Sequence, residues 1–270
     1  MLAEAQSLTN ILSKLRSFGE SIMSGHSKWS SIKHKKAAVD AKRGKVFTRI
    51  TKEITVAART GGGDAASNPR LRTAVQSAKS VNMPQDNIQR AIKKGTGELP
   101  GVQYEEHTYE GYGAAGVAIM VDVLTDNKNR TVAELRKIFS KNSGNMAESG
   151  CVNWMFHKKG LIFVDYDKAD EEKLMSIVID AGAEDIKAEE KTFEIVTAAE
   201  DFENVKNVLA KNKIEFSMAE ITMIPETTLK VEGKDAQQLI KLMEELDEHD
   251  DIQKTYANFD ISEKDLAKIG

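Results

Sequence analysis

Residues 160–224 read GLIFVDYDKADEEKLMSIVIDAGAEDIKAEEKTFEIVTAAEDFENVKNVLAKNKIEFSMAEITMI, and the order of their apolar patterns decides the fold. Residues 161–164, 185–188, 192–197 and about 215–224 carry the short apolar or alternating runs of strands. Between the first two, Leu174, Ile177, Val178 and Ala181 recur at helical spacing, and between the last two Phe202, Val205 and Leu209 do the same. Strand, helix, strand, strand, helix, strand predicts a ferredoxin-like sandwich over 160–225.

The flanking sequence supplies a second unit. Residues 104–125 read as two strands, the second a buried run from Gly116 to Leu124. A helix is expected over about 130–141, with Val132, Leu135, Ile138 and Phe139 inward, then a strand over 151–157. After Pro225 come a helix over 235–246 and a strand over 252–259. The unit is therefore discontinuous, 101–159 with 226–262, and the ferredoxin-like module is inserted in it. Gly111-Tyr112-Gly113-Ala114-Ala115-Gly116 matches the dinucleotide fingerprint letter for letter. That chemistry needs a helix to begin there, with its N-terminus on a pyrophosphate. A strand follows instead, so the glycines are read as a hairpin turn.

Upstream the character changes. Gly25-His26-Ser27-Lys28-Trp29-Ser30-Ser31-Ile32-Lys33-His34-Lys35-Lys36-Ala37-Ala38-Val39-Asp40-Ala41-Lys42-Arg43-Gly44-Lys45 gathers seven Lys/Arg and two His against one acid. Residues 23–100 hold sixteen basic and five acidic side chains, a net +11, although the whole chain is −4. Residues 1–22 are neutral, so 101–270 carry −15. Four short helices are expected in a basic domain over 26–100. One runs from Ile32 to about Arg43, ended by Gly44, and one covers 45–60, stopped by Gly61-Gly62-Gly63. One begins at Pro69 under an Asn68 cap, and one at Pro84 with Gly95 just beyond its end. Their core is thin: Trp29, Ile32, Val46, Phe47, Ile50, Ile54, Leu71, Val75, Val81, Ile88 and Ile92. No helix-turn-helix is evident from the pattern. Residues 1–25 are expected to be a disordered extension. Leu8, Ile11, Leu12, Leu15 and Phe18 allow a short amphipathic helix there, while Glu4 and Glu20 oppose a mitochondrial presequence.

Concentrated positive charge points to a polyanion, and so to nucleic acid. The candidate phosphate contacts are Lys28, Lys33, Lys35, Lys36, Lys42, Arg43, Lys45, Arg49, Arg70 and Arg72. Lys93 and Lys94, in the last turn of a helix, serve equally well as compensation of its dipole. The acidic body should repel nucleic acid, and offers a face to a basic protein partner. RNA binding through the ferredoxin-like sheet is disfavoured, since its third strand offers only Phe193, beside Glu194. The run from Glu244 to Asp251 does not fit a calcium loop, and His26 and His34 lack companion ligands. No metal, cofactor or catalytic set is expected. Cys151 is the sole cysteine, and no apolar run approaches a membrane span, so a reduced, cytoplasmic setting is expected.

Several of these segments, in this order, resemble one family. Met23-Ser24-Gly25-His26-Ser27-Lys28-Trp29, Asp40-Ala41-Lys42-Arg43-Gly44-Lys45-Val46-Phe47, Asn68-Pro69-Arg70-Leu71-Arg72, Asn82-Met83-Pro84 and Tyr109-Glu110-Gly111-Tyr112-Gly113 are similar to the YebC/PmpR proteins. The likeness covers about 23–260 and makes Met23 the family-like start. It implies a helical N-terminal domain and two α/β domains around a cavity. It also implies a cytoplasmic, DNA-binding transcriptional regulator, with relatives that act in translation on ribosomes or as a mitochondrial activator. It carries over no catalytic residue.

Overall fold

The computed structural model describes residues 43–189 and 192–262. Trp29, Ile32, the helix expected from Ile32, the extension over 1–25 and the contacts Lys28, Lys33, Lys35, Lys36 and Lys42 lie outside the described residues.

Three helices form the N-terminal domain: α1 (Arg43–Gly61), α2 (Pro69–Ser80) and α3 (Gln85–Gly95). Gly44 falls within the first turn of α1 rather than ending a preceding helix. Asn68 caps α2, accepting from the Leu71 amide at 3.0 Å, and Pro69 takes the first helical position. Ile54, Ala57 and Ala58 of α1 pack on Leu71, Ala74 and Ala78 of α2 and on Ile88 and Ala91 of α3. Phe47, Ile50, Val75, Val81 and Ile92 close the margin. The small residues let the backbones approach. A Cβ at Gly95 would run into the Thr55 carbonyl oxygen and the Ala58 side chain, so α3 presses on α1 there.

The middle unit is an antiparallel sheet in the order β3-β1-β2-β8: β1 (Glu105–Tyr112), β2 (Ala118–Thr125), β3 (Asn145–Met146) and β8 (Ile252–Ala257). The glycine motif is the β1–β2 turn, with Gly113 N–H donating to Val117 O at 2.8 Å and Ala115 and Gly116 at φ 58° and 78°. Helices α4 (Lys128–Lys141) and α7 (Gly233–Glu248) cover one face, where Leu135, Phe139, Leu239, Leu242 and Leu246 meet Ile119, Val121, Val123 and Ile252.

The inserted unit has the expected ferredoxin-like order. Strands β4 (Phe156–Asp165), β5 (Ala183–Glu189), β6 (Thr192–Ala198) and β7 (Met218–Pro225) run β5-β6-β4-β7, all antiparallel. Helices α5 (Glu171–Asp180) and α6 (Phe202–Lys211) bury Leu174, Val178, Val205 and Leu209 against Ile162, Val164, Phe193 and Ile195. A Cβ at Gly160 would strike Phe202 and Thr197, so glycine lets α6 lie close to β4. The two sheets meet through Ala118, Met120 and Tyr256 on one side and Val152 and Phe156 on the other.

The strand expected over 151–157 does not form. Residues 153–155 make a turn of 3-10 helix, and β4 begins at Phe156. The cause is Glu110, only 3% exposed, whose carboxylate accepts from the amides of Gly150 at 2.7 Å, Val152 at 2.6 Å and Asn153 at 3.0 Å. Amides folded around a carboxylate cannot pair in a sheet. Burial raises this carboxyl's pKa, and the amide donors outweigh it, leaving the pKa below its ordinary value. The contribution is thus complete above the ordinary glutamate range and is lost as pH falls through the lowered native value. Glu110→Gln is expected to cost about 2–3 kcal/mol at neutral pH, because one amide oxygen cannot satisfy three donors. The deficit should shrink in acid, as urea unfolding at several pH values would show. Equal stability of the two proteins at neutral pH would contradict it.

Candidate nucleic-acid interface

Charge at the junction of the helical domain and the middle unit follows from an electrostatic conflict. Helix α7 ends in Glu244, Glu245, Asp247 and Glu248, with no basic residue in its last turn. Acids at a helix C-terminus oppose the dipole, and the last carbonyls lack intrahelical donors. Helix α1 supplies both remedies. Lys45 Nζ donates to Glu248 O at 3.0 Å, Arg49 donates to Asp247 O and to His249 O, and Lys52 Nζ donates to Asp250 O at 3.0 Å. Burial lowers the Arg49 pKa, against the charges of Asp247 and Asp250, which raise it.

Asp251 is the centre of this junction. Lys52 Nζ lies 2.5 Å from Oδ1, while Oδ2 takes Arg130 at 2.8 Å, Thr131 at 2.7 Å and Thr125 at 3.1 Å. The Lys52 and Asp251 side chains are 9% and 5% exposed. Burial raises the Asp251 pKa, but hydrogen bonds from Lys52, Arg130 and Thr131 and the Lys52 charge hold it well below the aspartate range.

An open cleft of about 490 Å³ adjoins it, with Lys45, Tyr104, Arg130, Glu134 and His249 on its walls. Glu134, His249 and Asp251 bring ligand atoms within 4.8 Å of one another, the sort of grouping that could hold a metal. Their hydrogen bonding commits them otherwise. The Asp251 amide donates to His249 Nδ1 at 3.1 Å, which places the ring proton on Nε2, 2.9 Å from Glu134. A metal on Nε2 would have to expel that proton, and one on Asp251 would have to displace Lys52 or Arg130.

Of the expected phosphate contacts, Lys45 and Arg49 are therefore joined to the end of α7. Arg70 is joined to two carboxylates: Glu53, at 2.6 and 3.0 Å, and Glu106, at 2.8 and 3.2 Å. The Glu53 hydrogen bond chiefly raises its pKa, with Glu106 adding to the effect against desolvation. Arg72 is exposed and donates to Ala65 and Ala66 carbonyls at 3.4 and 3.1 Å. Arg43 opens α1. Within the helical domain, four described cations stand apart from these. Lys79 at the end of α2 and Arg90, Lys93 and Lys94 on α3 are exposed, and have no ion-pair partner among the described residues. Lys79 and Arg90 are not among the expected contacts, although their helical faces, free of acids except Asp86, carry the signal.

The ferredoxin-like sheet offers no stacking platform at Phe193. That ring is 3% exposed on the helix-covered face and packs on Tyr166 with centroids 4.4 Å apart. Among the described residues, no helix is long and apolar enough to cross a membrane.

Known proteins share this architecture. Residues 27–98 match the TACO1/YebC protein N-terminal domain, and residues 104–259 match the TACO1/YebC second and third domain. A protein of Desulfosudis oleivorans named "Probable transcriptional regulatory protein" is 58% identical, over 89% of this chain and 98% of its own length. A Geobacter sulfurreducens protein of similar name is 58% identical over 92% of this chain and 100% of its own. The crystal structure of a conserved hypothetical protein from Aquifex aeolicus superposes with a TM-score of 0.74 at 47% identity, covering 84% of this chain and 94% of that one. Two family matches in register with the helical domain and the paired α/β units, and relatives matched over nearly their whole length, establish that the chain belongs to the TACO1/YebC family.

Proposed function

We propose that the chain is a non-enzymatic regulator of transcription that binds duplex DNA through its helical domain. The observation that carries this is the separation of its cations. Those facing the middle unit are consumed in docking, while Lys79, Arg90, Lys93 and Lys94 have no partner among the described residues. The basic segment with Lys28, Lys33, Lys35, Lys36, Lys42 and Arg43 adds to the same domain in sequence. The names of the relatives support regulation of transcription. The −15 of residues 101–270 supports orientation, since phosphates are repelled from the body and admitted at the head.

Titration of the full chain with duplex DNA at several salt concentrations tests the function. Four phosphate contacts, from Arg72, Lys79, Lys93 and Lys94, correspond to a slope of log affinity on log salt of about −3.6. Salt-independent binding, or none, would refute it. Co-sedimentation of the chain with ribosomal subunits, and preference for ribosomal RNA over duplex DNA, would replace transcription by translation as its arena.

A further inference from the structure

We infer that α2, its turn and α3 form a helix-turn-helix in which α3 reads base edges in the DNA major groove, resting on the DNA-binding function proposed for the chain. The connection is four residues, 81–84, between helices of twelve and eleven residues. Its geometry is fixed rather than loose. Asn82 sits in the left-handed region at φ 57°, with its amide donating to Lys79 O at 3.0 Å and the Met83 amide donating to Ala78 O at 2.9 Å. That pair of bonds is a Schellman ending, with asparagine in the place glycine usually takes. Met83 then turns inward to join the core, and Pro84 precedes α3.

The placement of α3 suits a reading helix. Its buried positions, Ile88 and Ala91, and the partly buried Ile92 and Gly95 form one stripe toward α1, and the close contact with α1 falls at Gly95, the C-terminal end. The N-terminal half presents Gln85, Asp86, Asn87, Gln89 and Arg90, all exposed. In helix-turn-helix proteins the N-terminal residues of the second helix meet the bases while the first helix crosses the backbone. These side chains match that task. Glutamine pairs bidentately with adenine, arginine with the guanine O6/N7 edge, and aspartate accepts from the cytosine amino group. Lys93 and Lys94, one turn further on, and Lys79 across the turn have the charge and exposure for phosphates, which position without specifying.

The test is selection of the full chain on a library of random duplexes, repeated with Gln89→Ala, Arg90→Ala and Lys79→Gln. All three positions are exposed, and thermal melts would verify that each variant folds. The wild-type chain should enrich a motif. Each α3 variant should lose about 5- to 150-fold discrimination at one base pair of it. Lys79→Gln should weaken all sequences alike and flatten the salt slope by about 0.9. An enriched motif that both α3 variants leave intact would overturn the reading role of α3 while sparing DNA binding. Salt-dependent binding with no enriched motif would do the same. Absence of duplex binding, or tighter capture of ribosomal RNA than of duplex DNA, would overturn the DNA-binding function and this inference together.

Discussion

Replacing Asp251 with alanine is expected to destabilise the chain by about 3–5 kcal/mol, the cost of stranding a buried charge. The substitution strips Lys52 Nζ of a carboxylate 2.5 Å away, inside a junction where the lysine is 9% exposed. It also leaves Thr125, Thr131 and Arg130 without their common acceptor. The lysine retains the Asp250 carbonyl at 3.0 Å, which cannot neutralise it. Lys52→Met should cost less, because Asp251 would keep Arg130 and both threonines, and methionine fills much of the lysine stem's volume. That ordering separates charge from packing. Urea unfolding of the three proteins at neutral pH measures it. A loss below about 1 kcal/mol for Asp251→Ala would place the pair in the surface class, where exposed ion pairs are worth little. The lowered pKa sets the pH dependence: the contribution is full above the ordinary aspartate range and is lost as pH falls through the lowered native value.

Much of this fold was legible because it is written locally. Leu174 with Val178, and Phe202 with Val205 and Leu209, announce their helices by spacing alone, and each is buried where that spacing requires. The glycine motif was decided by the strand after it, which indeed begins at Ala118. What was not legible is written across distance. Glu110 organises residues 150–153 from some forty positions away, so an apolar stretch that reads as a strand becomes a loop. Arg49 and Lys52 meet partners nearly two hundred residues on, and no periodicity in α1 discloses them. One clue existed. The acids that end α7 contradict the helix dipole, and a contradiction of that kind calls for cations from another element. The α2–α3 turn was legible too, since asparagine followed two residues later by proline is a helix ending. Whether it joins a helix-turn-helix was not legible, because two helices alone do not show which face is free.

Neutralising Lys79, Arg90, Lys93 and Lys94 together with glutamine should cost about 10³-fold in duplex affinity near 0.1 M salt. The number follows from counterion release, at about 0.9 in slope per phosphate contact, hence about 2.7 for the three lysines, with the Arg90 base contact supplying the rest. Equal losses on unrelated sequences are expected from the three lysines, with Arg90 adding a sequence-dependent part. A different account exists for Lys93 and Lys94, which stand in the last turn of α3 and complement its dipole. Dipole compensation is worth about 0.3–1 kcal/mol per charge in stability and contributes nothing to a salt slope for binding. Melting and titration therefore separate the two accounts: a lowered melting temperature with an unchanged slope assigns these lysines to the helix alone. The contrasting variant is Arg49→Met with Arg70→Gln. Both arginines are occupied, one by the end of α7 and the other by Glu53 and Glu106, so their loss should lower stability and leave the slope nearly unchanged. If instead that pair abolished salt-dependent binding while the quadruple variant preserved it, the DNA surface would lie on the α1 side, and domain undocking would be needed to expose it.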